Sequence, residues 1–310
     1  MSAKYRLVTR SDFDALISAV LLKELDLINE IKFVHPKDMQ DGKIEITEND
    51  IITNLPYVEG AHLVFDHHES EILRFSGNRP ENYIIDPDAP SASRVVYNYY
   101  GGKTVFPNIS EEMLDAVDKA DSAQFSRNEI MFPDGWVLLH FLIDPRTGLE
   151  RCKKFRISNY ELMINLVDYC KTHSIDEILE LPDVKERIEL FFTHQREALV
   201  QIEKNAKVYK NVVVLDLRQQ KEIFVTNRFI IYAMYPECNI SIHVLWGLNK
   251  QNTVFAVGRS IIDRSSKTNV GELMLKYGGG GHQTAGTCQI PNDQADEVLQ
   301  ALIEAINEDG

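Results

Sequence analysis

Short stretches of this chain hold residues whose types and spacing can do chemistry on a phosphate. In TRSDFD, Asp12 and Asp14 lie one residue apart directly after the apolar run YRLVT. Two carboxylates so placed at a strand's carboxyl end can turn their oxygens into one cleft as ligands for a hard cation. In HLVFDHHES, Asp66, His67 and His68 also follow an apolar run. An imidazole there offers a nitrogen lone pair suited to a divalent ion such as manganese, and its neighbour can donate a hydrogen bond or act as an acid. In KYGGGGHQTAG, Gly278 to Gly281 let the backbone approach an anion with unhindered N–H groups, and His282 adds a donor. Each stretch also has a plainer use. Ser11 and Asp14 are spaced like a capping box, the histidines suit a surface turn, and the glycines suit a loop between helix and strand.

The elements that must position these residues follow from periodicity. Residues 5–9, 31–35, 50–53, 62–65 and 83–86 are near-continuous apolar runs, as buried parallel strands are, and 14–25 reads as a helix apolar on most faces. The alternation predicts a parallel α/β sheet, whose chemistry gathers at the carboxyl ends of strands. From about residue 111 to 207 the spacing turns helical: 111–121, 135–144, 159–170 and a long charged helix over 184–208. After it come strands at 211–217, 239–248, 253–260 and 284–290 and a helix at 293–306. The expected organisation is an N-terminal α/β domain over 1–190 with a helical middle segment, a linker helix over 191–208, and a smaller mixed α/β domain over 209–310 across a cleft.

Asp86 and Asp88 precede a helix start where Ser91, Ser93 and Arg94 can meet a phosphate, though capping serves that stretch as well. His35, His62 and His140 stand in apolar surroundings and are expected as core or edge residues. Asp115 and Asp118 are expected on a solvated helix face.

A chain of 310 residues with 44% apolar and 26% charged residues has the composition of a globular protein of about two domains. Its net charge of −14 argues against wrapping long duplex DNA, which needs a basic face. A small anionic substrate remains, provided metal ions or local Arg, Lys and backbone N–H groups offset the repulsion. The N-terminal residues lack a signal-peptide core and no run reaches the length of a membrane span, so a cytoplasmic protein with no membrane contact is expected. The cysteines at 152, 170, 238 and 288 form no CxxC pair and read as free, mostly buried thiols. The acidic, helix-rich middle segment suits a homodimer.

In their order, DFD, DHH and GGGGHQTAG resemble the DHH phosphoesterase superfamily, in the branch with the DHH-associated C-terminal domain, and the resemblance covers nearly the whole chain. That branch includes RecJ-type exonucleases, NrnA-type phosphoesterases and cyclic-dinucleotide phosphodiesterases. The resemblance implies a metal-dependent phosphoesterase acting on a small nucleotide-type substrate such as a short oligonucleotide, a cyclic dinucleotide or phosphoadenosine phosphate. It implies Mn2+ or Mg2+, one or two ions, held by Asp12, Asp14, Asn54, Asp66, His67 and Asp121, with Asp66, His67 and His68 as the catalytic triplet. It further implies that Arg259, Gly279, Gly280, Gly281 and His282 grip the substrate, a role in which Arg94 joins them on the helix-start reading above. Val8 stands where the family has a histidine, and Asn54 where it has a bridging aspartate. The competing expectations are a nucleotide-binding protein on a degenerate DHH fold and a polyphosphate or pyrophosphate hydrolase.

Overall fold

A computed structural model describes residues 4–68, 71, 79–151 and 155–310. The chain divides into two units, Met1–Gln124 with Asp134–Glu189, and Phe125–Pro133 with Leu190–Gly310.

In the first unit, β1 (Tyr5–Thr9), β2 (Ile28–Phe33), β3 (Asp50–Thr53), β4 (Leu63–Asp66) and β5 (Tyr83–Ile85) form one parallel sheet in the order β2-β1-β3-β4-β5. β1 and β3 have the expected bounds, because short runs of Leu, Val, Ile and Thr covered on both faces leave little choice of register. Val8, Ile52, Val64, Tyr83 and Ile85 fill one face. The parallel order puts the carboxyl ends of β1, β3 and β4 side by side, and TRSDFD, Asn54 and DHH leave from those ends.

Among the described residues, the α-helices up to residue 205 are, in chain order, α1 (Phe13–Glu24), α2 (Pro36–Gln40), α3 (Ala92–Tyr99), α4 (Glu111–Asp121), α5 (Arg127–Met131, in the second unit), α6 (Gly135–Ile143), α7 (Asn159–Thr172), α8 (Ile175–Leu179) and α9 (Pro182–Asn205). Helix α1 is buried from Phe13 through Leu22, which its apolar sequence requires, and α3, α4 and α7 pack around it. Complete capping boxes start α7 (Ser158, Glu161) and α8 (Ser174, Glu177), each satisfying otherwise orphaned helix N–H groups. The unit boundary falls inside α9.

The second unit carries β6 (Ala206–Tyr209), β7 (Val212–Asp216), β8 (Ile240–Trp246), β9 (Thr253–Arg259), β10 (Gly280–Gly281) and β11 (Ala285–Ile290) in the order β10-β11-β9-β8-β7-β6. Only β7 and β8 run parallel; the remaining pairs are antiparallel. The short helix α10 (Ile230–Met234) belongs to this unit too, and Val214, Ile242, Phe255 and Val257 pack with α11 (Val270–Leu275) and α12 (Ala295–Asp309) in a single core.

Some expectations are corrected. The long helix does not run to Val208: it ends at Asn205, and Ala206–Tyr209 turns back on β7 through Lys210, whose φ is +55°. His35 is exposed rather than core, and its side chain caps α2 by accepting from the Lys37 N–H at 3.2 Å. His62 is exposed and stacks on Tyr5 at 4.1 Å, whereas His140 is buried. Cys170, Cys238 and Cys288 are free and buried; Cys152 lies outside the described residues. No helix among the described residues is long and apolar enough to cross a membrane.

Leu16 lies at 0% exposure in the middle of α1. Leu16→Ala is expected to cost about 3 kcal/mol of folding stability, read as a lower midpoint in urea denaturation with an unchanged slope.

Candidate metal centre

The first residues after β1 divide between two tasks. Asp12, not Ser11, is the N-cap of α1, with Oδ1 accepting from the Ala15 N–H at 3.0 Å and Oδ2 lying 3.2 Å from Arg10 Nε. Asp14 caps a different helix. Its carboxylate accepts from the backbone N–H groups of Ala92 (3.0 Å) and Ser93 (2.7 Å) and from the Ser93 hydroxyl, at the start of α3. The anion at that helix N-terminus is therefore a side chain of the chain itself, a favourable pairing with the helix dipole. A carboxylate has about four lone-pair directions. The three bonds to α3 leave Asp14 one for a ligand.

Asp66 ends β4 at 0% exposure and organises the histidines that follow. Its Oδ1 accepts from the His67 N–H at 2.8 Å and lies 2.7 Å from His68 Nδ1, while Oδ2 accepts from the Tyr83 hydroxyl at 2.9 Å. His68 is exposed. His67 turns the other way, with Nδ1 3.2 Å from the Ala89 carbonyl and Nε2 2.9 Å from Asp121 Oδ2. A carbonyl only accepts, so Nδ1 carries the hydrogen and Nε2 of the neutral ring presents its lone pair to the carboxylate. Asp121 is the last residue of α4, where the helix dipole disfavours a negative charge.

Asp14, His67 and Asp121 thus offer one ligand atom each, all within 4.8 Å of one another. Asn54, directly after β3, is 2% exposed at a φ of +55°, and among the described residues neither polar atom of its amide has a hydrogen-bond partner. A lone pair facing two carboxylates, together with an orphaned buried amide, is the donor chemistry of a divalent cation site. The residues fit the divalent ion that the resemblance implies.

The electrostatics agree. Burial, with Asp121 and Asp12 close by, raises the Asp14 carboxyl to about 7. Burial alone would lower His67, but Asp121, then Asp14 and Asp66, lift it to about 9. Burial opposes the charge on Asp121, yet His67 and His68 hold it below the ordinary carboxylate range. Without a cation, a proton on His67 holds the cluster together.

Arg94 is drawn into the scaffold. Its Nε donates to Asp118 Oδ2 at 2.7 Å, Asp115 lies 3.4 Å from its Nη2, and Ser91 donates to Asp118 at 2.7 Å. The Asp118 side chain is 16% exposed, so it ties α4 to α3 instead of facing solvent. Sequence reasoning missed this tie and the Tyr83 bond to Asp66. The serine-rich helix start at 91–94 was the available signal for the Asp14 cap.

In the second unit Gly280 and Gly281 form β10, while Gly278 sits in the turn before it. A Cβ on Gly279 would stand 2.1 Å from the Thr287 carbonyl oxygen, and one on Gly281 2.3 Å from that of Ala285, whereas Gly280 has open space. The N–H groups of Gly279 and His282 donate to Met274 and Ala285 carbonyls. Arg259, at the end of β9, donates through Nε to the Thr268 carbonyl at 2.7 Å, and His282 is exposed.

Two outcomes follow. Gly279→Ala is expected to destabilise the protein by about 1–3 kcal/mol and Gly280→Ala to leave the denaturation midpoint nearly unchanged. The proton on His67, whose ordinary value of 6.5 rises to about 9, stabilises the metal-free fold fully below pH 6.5, and this contribution is lost as pH rises through 9. Melting temperatures of chelator-treated protein should fall across that window, and saturating divalent cation should flatten the fall.

A DHHA1 domain matches residues 230–308. None of the curated proteins matches the chain. Among solved structures, the pGpG-specific phosphodiesterase PggH from Vibrio cholerae is 62% identical, with 99% of this chain and 100% of that one covered at a TM-score of 0.92. RecJ from Thermus thermophilus, solved in complex with Mn2+, is 13% identical over 98% of this chain and 52% of its own, with a TM-score of 0.50, a likeness of fold. Near-complete coverage at that first identity, on a chain whose DFD and DHH motifs stand at the carboxyl ends of parallel strands of one sheet, means that this protein belongs to the DHH phosphoesterase family, in the branch that carries a DHHA1 domain.

Proposed function

We propose that the protein hydrolyses a linear dinucleotide of the pGpG class to mononucleotides, with a divalent cation, manganese foremost, at Asp14, His67 and Asp121. The observation that carries this reading is the convergence of those donors in a chain 62% identical to a pGpG-specific phosphodiesterase. A bound cation supplies Lewis-acid polarisation of the phosphoryl group and a water of lowered pKa.

The chain's own groups prepare the rest. Asp66 fixes His68 through Nδ1, and that bond raises the His68 pKa and favours the protonated ring. In the proposed reaction water adds to phosphorus and gives up a proton to solvent, the bond to the bridging ribose oxygen breaks, that oxygen takes the His68 proton, and His68 regains a proton from solvent. Tyr83 keeps the Asp66 carboxylate aimed during the transfer. In the second unit, Arg259, Gly279, Gly280, Gly281 and His282 are the proposed phosphate contacts, supported by the open side of Gly280 and the exposure of His282. Arg94 is left out of this set because Asp118 and Asp115 hold it.

Purified protein with manganese should convert pGpG to GMP, followed by liquid chromatography. Asp14→Ala and His67→Ala should abolish turnover, and His68→Ala should lower kcat by about 100-fold or more. Wild-type rates in the first two variants would remove the metal assignment.

A further inference from the structure

We propose that this centre holds one divalent cation per chain and that Arg10, with Arg146 beside it, supplies the positive charge that a second ion would bring. The inference rests on the cation-dependent reading above and deepens it.

Asp12 is the decisive residue. It is 8% exposed, and both oxygens face fixed partners of the chain, Oδ1 the Ala15 N–H and Oδ2 the Arg10 guanidinium. It is absent from the set of donors that converges with His67. Its neighbours do not replace it. Val8 is fully buried in the apolar face of the sheet, and Asn54 brings a neutral amide, a poor bridge between two cations. On this side of the centre, then, the carboxylate is already neutralised by a cation of the chain.

The same arginine borders a cavity. A space of about 430 Å³ opens next to Asp12, lined by Arg10, Arg146, His35 and Phe33 among others, which is within the size range of small-molecule sites. Arg146 is anchored by Nε at 2.8 and 3.1 Å from the Asp144 oxygens, as Arg10 is anchored by Nε on Asp12. The planar Nη pair of each is the edge that meets phosphoryl oxygens bidentately. Two anchored guanidiniums beside one ion can take up the charge that a second ion would otherwise balance, and they do so without a metal-bridging carboxylate.

The test counts ions and needs no turnover. Native mass spectrometry and electron paramagnetic resonance of the full chain in manganese chloride should give one ion per chain and the hyperfine spectrum of an isolated ion. Two ions, or an exchange-coupled spectrum, would overturn the proposal. Inorganic phosphate should bind the manganese-loaded Arg10→Ala protein about tenfold more weakly, and Arg10→Lys, which keeps the charge but loses the planar fork, should recover part of the loss. Equal phosphate affinity in wild type and Arg10→Ala refutes the arginine role. If pGpG proves not to be cleaved, the substrate reading fails while these measurements still decide the count.

Discussion

The carboxylate of Asp14 bonded to the first N–H groups of α3 is the interaction on which the candidate centre depends. It fixes the start of α1 against the start of α3, and α3 is tied in turn to α4 through Ser91, Arg94 and Asp118. Because Asp121 ends α4, this chain of contacts sets the distance between the two carboxylates that face His67. The arrangement is costly on its own, since it buries negative charge beside negative charge. Helix-start N–H groups offset part of that cost at Asp14, whereas Asp121, at the unfavourable end of its helix, relies on His67. A cation relieves the remainder.

His67 and His68 show how adjacent residues of one type receive different duties. The strand ends at Asp66, and its carboxylate bonds the two following N–H groups, forcing a tight corner. The rings then diverge, with centroids 4.7 Å apart and planes at 59°. One imidazole is held by a backbone carbonyl and turns its lone pair inward, and the other is held by a carboxylate and remains exposed. Tautomer and orientation are thus decided by the partner of Nδ1 in each case.

Much of this was readable in the sequence because it is local. β1, β3 and α4 have the expected bounds, and the motifs leave strand ends as apolar runs followed by Asp and His imply. What sequence did not yield are contacts between distant segments. Asp14 and Ser93 are joined by folding alone, and Asp118 looks like any acidic residue on a polar helix face until Arg94 arrives beside it. Charge periodicity also carried the long helix too far, since Ala206–Tyr209 continues the pattern while the β7 edge offers its backbone better partners.

Gly271, at the start of α11, stands so close to the glycine strand that an added methyl would meet the Gly281 carbonyl oxygen at 2.8 Å. Helix and strand therefore behave as interlocking parts with no slack between them. A side chain added at Gly271, Gly279 or Gly281 must be matched across the contact, so these three positions change only together, while Gly280 alone is open to variation.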